Sequence, residues 1–497
     1  MTRIAFRGGW VVGWIDGRHQ VLEGGTVVVE KDRIIFVGFP DDPICPSADR
    51  VILTQGKLVS PGLINLHCIA NLDLQVLSID TGRSLGPGLP ISMSDSHPDK
   101  THIFSDEDFR TSAQFCVATL LKAGNTSFAG VTTGLNKMWE DPVQEPYALA
   151  EASENMGVRA WLAHFYEEAK DFAEVNGKMT TIWDREKAQH GLDRAIEFNR
   201  FLNGRGDGRL TGFLFPYRTE KCSDELLQET MRQSRLLGDT HVRSHFSQHL
   251  DEFEDAKKRN GKSMIEWLQD IGFLGSQVCL THARYIAGHQ LTGDPPGKDL
   301  EILADSLTSV CHCPVISARN ARGGLQSLSK YVSAGVNVGI GCDAFPPDLI
   351  EEMRVGALVN KELDHHKDSG TVKEFFDAAT IGGAKALGRN DIGRLEAGCL
   401  ADISVFNLES LALGPLDDPM RTFFHYGHGS DCEKVMVNGR LVVDEGRVIG
   451  VDEEELLSRV NDAWARYRTG TVSRNHPGKS VDEIYPPVIP IVRPTTH

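Results

Sequence analysis

The sequence predicts an α/β protein: a (β/α)8 barrel of the TIM type carrying a small composite β-sandwich domain built from both chain ends. Three observations carry this. Eight short apolar runs alternate with helical patterns across residues 61–390. Eight β–α units in about 330 residues match the strand count and spacing of a closed parallel barrel with right-handed crossovers. β-rich segments flank this middle at 1–60 and 391–450, leaving 451–497 as a C-terminal helix and a Pro-rich tail. No G-x-G-x-x-G follows an early strand, which speaks against a doubly wound open sheet.

Taken in order, residues 1–60 contain GWVVGW, GGTVVVEKDRIIFVG and RVILTQGKLVSPG, β-branched stretches punctuated by Gly and Asp. The strand candidates of the middle are LINLH (63–67), NTSFAG (125–130), RAWLAHF (159–165), LTGFLF (210–215), HVRSHF (241–246), VCLTH (278–282), LTSVCH (307–312) and VNVGIGCD (336–343). Between them, 106–124 and 223–238 repeat apolar residues at helical spacing. Two connections exceed ordinary loop length, 70–105 and 166–190, and a helix is expected in the second; on a barrel such loops border the active site. The segment 391–450 ends in VMVNGRLVVDEGRVIG, whose Asn-Gly and Glu-Gly pairs signal hairpin turns. The tail after 470, with PPVIPIVRP, cannot extend a helix and is expected to wrap a surface or reach a neighbouring subunit.

The chain has 497 residues, and 52 Lys+Arg against 69 Asp+Glu give a net charge of −17. So acidic a chain lacks the electrostatic footprint for nucleic acid or an anionic membrane. No apolar run approaches the roughly 18 residues of a membrane span. The N-terminal MTRIAFRGGWVVGW reads as a first strand rather than a signal peptide. Ten scattered cysteines suit reduced thiols in a cytoplasm better than a disulfide framework. The pair Cys311 and Cys313, inside an apolar strand, reads as structural.

Histidine and aspartate recur where the predicted strands end: His67 on the first, His245 on the fifth, His282 on the sixth, His312 on the seventh and Asp343 on the eighth. In a barrel these ends open on one face, so the residues converge. A single histidine there is ordinarily a hydrogen-bonded structural residue; four of them with a Gly-flanked Asp (GIGCDA) read as a metal site. Imidazole nitrogens with one carboxylate oxygen suit one divalent ion, zinc first, with Fe, Co or Mn as alternatives.

With LVSPGLINLH, SHFSQ, LTHARYI, CHCPVIS and GIGCDAFPPDLIEEMR at strands 1, 5, 6, 7 and 8, and DIGRLEAGCLADISVFN after them, the chain resembles the amidohydrolase superfamily, in its cytosine deaminase-like and chlorohydrolase-like (triazine hydrolase) branch. The resemblance spans nearly the full length. It implies metal ligation by His67, His245 and Asp343, with Asp343 as general base. The second histidine of the family's His-x-His has become Ile69, and strand alternation aims the adjacent Cys68 the other way. His282, which in the family touches the metal-activated water, is expected either to hold the oxyanion or to enter the ligand set. Gln248 stands where ring-deaminating and dechlorinating relatives carry Glu; an amide donates a hydrogen bond but transfers no proton. The family's Ser-Asn pair after the strand 7 proline is also missing, since Pro314 is followed by Val315-Ile316-Ser317.

The expected catalytic residues are therefore Asp343, His282 and Gln248, and the expected ligands His67, His245, His282 and Asp343. Arg243 shares the inward face of its strand with His245 on period-2 spacing, either as a substrate contact or as half of a barrel-interior ion pair. His312, His97 and Trp139 are further substrate-binding candidates. His164 reads as core, Lys221 in RTEKCSDE as a solvated lysine, and DEFEDAKKR as a charged helix face. The function expected is metal-dependent hydrolysis of a non-peptide C–N bond in a small molecule: an amide, urea, carbamate or related linkage. Two alternatives stand beside it, hydrolytic deamination or dehalogenation of a heteroaromatic ring, and a non-catalytic binding protein. The resemblance also implies a homodimer or higher oligomer.

Overall fold

The computed structural model describes residues 2–72, 75–78, 103–134, 137, 139–173, 179–321, 325, 327–475 and 478–492. Eight parallel strands stand where the eight apolar runs predict them: Leu63–Ile69, Asn125–Val131, Arg159–Leu162, Leu210–Gly212, Val242–Phe246, Val278–His282, Ser309–His312 and Val338–Ile340. They hydrogen-bond as two four-stranded sheets. Parallel bridges join the sheets at both edges, Leu214 beside Val242 and Cys68 beside Asp343, so the strands close into a ring. Both faces of each strand are buried, which is why the sequence shows continuous apolar runs rather than alternation. Ile64, Leu66, Ala129, Trp161 and Phe213 pack in one cluster, and Leu63, Phe128, Leu162, Leu280 and Val310 in another that also holds residues of the surrounding helices.

The helix Asp106–Lys122 begins at a capping box, in which the Ser105 side chain and the Asp108 backbone and carboxylate satisfy each other. Asp224–Leu236 is capped by Ser223. The long connection after the third strand holds a hairpin, Ala169–Ala173 with Met179–Trp183, before its helix starts at Arg185. Most of the connection 70–105, His97 included, lies outside the described residues.

Both chain ends meet in one nine-stranded sheet. Arg3–Ile15, Arg18–Glu30, Arg33–Gly38, Arg50–Leu53 and Lys57–Pro61 come from the first end, and Ile403–Asn407, Cys432–Val437, Arg440–Asp444 and Arg447–Val448 from the second. Lys57–Pro61 pairs antiparallel with Ile403–Asn407, which stitches the ends together. The Asn-Gly signal is a two-residue hairpin with φ of 52° at Asn438 and 75° at Gly439. Positive φ at both central residues gives the tight turn whose twist suits a hairpin. The sheet is tied to the barrel by Arg159, on the third barrel strand: its Nε and Nη2 donate to the two carboxylate oxygens of Asp402 at 2.8 and 3.1 Å.

The C-terminal helix Glu453–Asn475 runs past residue 470, because the prolines of the tail begin only at Pro477. It lies on Asp106–Lys122 through Lys122–Glu453 at 2.6 Å and Arg466–Asp108 at 2.5 Å. No helix among the described residues is long and apolar enough to cross a membrane.

Candidate metal centre

The C-terminal ends of strands 1, 5, 6 and 8 bring His67, His245, His282 and Asp343 together, with one ligand atom of each within 4.8 Å of all the others. All four are buried. Local departures from regular strand geometry aim them. In the first strand Asn65 pairs with Phe128 but Cys68 pairs with Gly130, so one extra residue intervenes. The resulting bulge re-aims the strand end, and Asn65 Oδ1 pins it by accepting from the backbone N–H of His67 (3.3 Å) and of Cys342 (3.2 Å). His282 is register-paired with Phe246, whereas the neighbouring pair is His245 with Thr281. By alternation His282 would face away from His245; its φ of 75° turns it back. Asp343, at φ 58°, closes the ring through its N–H to the His67 carbonyl (2.9 Å) and its carbonyl from the Ile69 N–H (2.6 Å). Gly341 makes this approach possible, since a Cβ there would stand 2.5 Å from the His67 backbone nitrogen.

Hydrogen bonds set the imidazoles for ligation. His245 Nδ1 lies 2.7 Å from the Tyr217 carbonyl; that oxygen only accepts, so Nδ1 carries the hydrogen and Nε2 keeps its lone pair. His67 Nε2 lies 3.1 Å from Asp343 Oδ1. His67 Nδ1 and both ring nitrogens of His282 are buried with no hydrogen-bond partner among the described residues. Burial holds His67 below the usual imidazole range, and holds His245 and His282 well below it, the last also by the neighbouring His245. Neutral imidazoles with orphaned nitrogens beside one carboxylate are the donor set a divalent ion requires. The residues therefore fit one metal ion, and they do so without Ile69, whose side chain is buried among the apolar residues lining the ring. Cys68 packs on the opposite side of the strand, in the cluster that contains the helices.

This burial fixes a pH dependence. A histidine held below its unfolded value stays neutral in the folded chain while the unfolded chain takes up protons. The contribution of these histidines to stability is therefore complete above about pH 6.5 and is lost as pH falls below it. His312, which burial pushes down to about 3, acts in the same direction. In metal-free protein the fall in melting temperature from pH 7.5 to pH 5.5 is expected to be smaller, or its rise larger, in His282→Gln than in the wild type, because the variant has lost a buried neutral imidazole; identical pH profiles for the two would contradict the neutral, buried state.

Gln248 stands just past the fifth strand, buried. Arg218 Nη2 donates to its Oε1 at 2.8 Å, and Arg218 Nη1 to Glu252 Oε1 at 2.9 Å. A guanidinium cannot accept, so the Gln248 amide is turned with its oxygen toward Arg218 and its NH2 group free to donate. Glu220 Oε1 lies 3.8 Å from Arg218 Nη1. Burial and the nearby Glu252 push the Glu220 carboxyl up to about 8, so it holds a proton at neutral pH. A cavity of about 500 Å³ reaches Ala344, the residue after Asp343, and is lined by Leu72, Phe115, Ile316, Phe345, Val460 and Trp464, with Asn71, Arg319, Asn320 and Asn461 among its polar members.

The remaining sequence candidates separate. Arg243 is buried inside the ring with no ion pair among the described residues, so of its two sequence readings, substrate contact or interior ion pair, the second finds no partner there. His312 and Trp139 are buried outside the four-residue cluster. His164 Nδ1 pairs with the Phe165 carbonyl at 3.1 Å. Lys221 is ion-paired with Asp171 at 2.6 Å rather than solvated alone. Sequence reasoning missed Tyr217 and Arg218. Both follow the end of the fourth strand, a position that on a barrel faces the mouth, and Tyr217-Arg218 directly precede the TEKCSDE turn.

The amidohydrolase family model matches residues 58–442, from the last N-terminal strand to the second-last hairpin. The chain belongs to the amidohydrolase family. A 5-methylthioadenosine/S-adenosylhomocysteine deaminase of Symbiobacterium thermophilum is 30% identical over 473 residues, covering 94% of this chain and 99% of the relative. A 5'-deoxyadenosine deaminase of Methanosarcina barkeri is 28% identical over 458 residues, 88% and 95% respectively. Among solved structures, an adenosine deaminase from Xanthomonas campestris with bound zinc superposes with TM-score 0.77 at 19% identity, covering 94% of this chain and 99% of that one. The atrazine chlorohydrolase of Arthrobacter aurescens TC1 complexed with zinc gives 0.72 at 20%, covering 93% and 99%. This amidohydrolase is thus a metal-dependent hydrolase of carbon–nitrogen bonds other than peptide bonds.

Proposed function

We propose that the protein hydrolyses an amide-, urea- or carbamate-type C–N bond in a small, largely neutral molecule, releasing an organic amine. The observation that carries this reading is the setting of Gln248: held through its oxygen by Arg218, just past the strand that carries His245, it keeps its N–H donors for an acceptor and has no proton to transfer. That suits a carbonyl oxygen, which needs a hydrogen bond, and not a ring nitrogen, which needs a proton.

His67, His245, His282 and Asp343 would hold one divalent ion, zinc being the first choice, with His282 taking the place left by Ile69. Such an ion supplies Lewis acidity, bringing the pKa of a water toward neutrality. The Asp343 carboxylate takes the proton from the attacking water and passes it to the departing nitrogen. The Gln248 NH2 group donates to the carbonyl oxygen as charge builds on it, a contribution of about 3 kcal/mol in comparable oxyanion sites. The cavity at Phe115, Phe345 and Trp464 takes the apolar part of the substrate. His282→Ala is expected to lower metal content as well as kcat; a variant slow by about 10²–10³-fold but fully metallated would make His282 an oxyanion donor only.

One observation favours a second reading, deamination or dehalogenation of a heteroaromatic ring. Burial and Glu252 push the Glu220 carboxyl up to about 8 beside the arginine that holds Gln248, and the relatives named above are deaminases and a chlorohydrolase. A product assay over amides, ureas, carbamates, aminated heterocycles and chlorinated triazines separates the two. Organic amine supports the first reading; ammonia or halide release that Glu220→Gln abolishes supports the second. We further infer a homo-oligomer working in a reducing compartment, which the ten unpaired cysteines support.

A further inference from the structure

Arg243 stands two residues before His245 on the fifth strand, inside the barrel and one layer below the metal centre. Only 1% of its surface is exposed, and Nε, Nη1 and Nη2 all lack a hydrogen-bond acceptor among the described residues. The other deeply buried arginines are provided for. Arg159 is forked onto Asp402, Arg284 donates to the Gln248 carbonyl at 3.0 Å, and Arg209 reaches the Glu154 carbonyl and the Asp207 carboxylate. The Phe213 ring, 5.6 Å from the guanidinium carbon, covers a face of Arg243 but accepts no conventional hydrogen bond.

A guanidinium stays charged in any protein interior, and an uncompensated buried charge is among the most destabilising features a fold can carry. The register partner of Arg243 is Cys279, and Cys311 lies in the same apolar cluster. Neither serves as counter-ion in its ordinary thiol form, and burial pushes the Cys279 thiol up to about 12 even beside the arginine. Thr281, two residues further along the sixth strand on the face shared with Cys279, has a buried hydroxyl that is also without a partner. The register partners around Arg243 and Thr281 are small: Cys279 beside Arg243, Ser309 beside Cys279, and Cys311 beside Thr281. A cation with its donors unmet, an unmet hydroxyl one inward-facing position further along the neighbouring strand, and small register partners are what a monatomic anion would satisfy.

We propose that Arg243, with Thr281, binds a small inorganic anion of halide size inside the barrel beneath the metal centre. The anion completes the hydrogen bonding of the guanidinium and offsets its charge, which otherwise opposes a divalent cation in the layer above. Neither the substrate nor the metal is needed for this inference, so it stands or falls apart from the proposed reaction.

Crystals of the full chain grown in bromide, with data collected at the bromine absorption edge, test it. The result expected is one anomalous peak within hydrogen-bonding distance of the Arg243 guanidinium, missing in Arg243→Met. Without any variant, exchanging chloride for gluconate is expected to lower the melting temperature of the wild-type protein by about 2–4 °C. Ordered water alone at the guanidinium, or a melting temperature indifferent to halide, would overturn the proposal. Metal content measured on the same preparations keeps this result separate from the fate of the metal centre.

Discussion

Asp343→Asn is expected to leave the fold in place and to slow hydrolysis by about 10²–10⁴-fold, the range of a lost general base. The asparagine keeps the shape of the side chain and one oxygen for His67 Nε2, now 3.1 Å from Oδ1. It cannot take a proton from water or return one to the leaving nitrogen. The backbone of residue 343 closes the barrel through its own N–H and carbonyl, and the substitution does not touch those bonds. The measurement is kcat on the substrate chosen by the product assay, beside a thermal melt. A variant with near wild-type kcat would remove Asp343 from the chemistry.

The second large effect concerns stability. Arg159→Met is expected to cost about 3–5 kcal/mol, because Asp402 would be left as a buried carboxylate without its counter-charge. Asp402 keeps the Asn438 N–H at 2.8 Å, a bond that does not balance the ion. The pair bridges the third barrel strand and the nine-stranded sheet, so its loss is felt in both. Urea denaturation followed by far-UV circular dichroism measures it. Replacing both partners by apolar residues, Arg159→Met with Asp402→Leu, is expected to recover most of the loss, since no lone charge then remains buried. A single variant within about 1 kcal/mol of wild type would show the pair to be dispensable.

The barrel was legible because parallel strands buried on both faces are largely apolar, and the eight runs from Leu63 to Asp343 are, with their polar residues gathered mainly at the strand ends. The ligand set was legible because barrel topology sends every strand end to one face, so His67, His245, His282 and Asp343 could be grouped without knowing a distance. The means of aiming them was not. The extra residue between Asn65 and Cys68 and the left-handed turn at His282 leave no mark in composition or periodicity; both are set by tertiary pairing. Arg218 escaped for a different reason. An arginine in a charged turn reads as solvated, and only the fold shows it half-buried and hydrogen-bonded to both Gln248 and Glu252. Period-2 spacing turned Arg243 inward, but spacing says nothing of what meets a side chain there, and the ion pair that was one of its two readings has no partner among the described residues. The segment between Ala169–Ala173 and Met179–Trp183 carries an Asn-Gly pair, Asn176-Gly177, like the one that made the turn at Asn438 and Gly439 readable, but the reading of 166–190 as a long loop with a helix passed over it.

Elemental analysis of the purified, zinc-reconstituted protein tests the central claim most directly. The account predicts about one equivalent of metal per chain in the wild type, and less than about 0.1 equivalent in His245→Ala and in Asp343→Ala under the same conditions. A wild-type protein that retains no metal, or variants that retain the full equivalent, would contradict it.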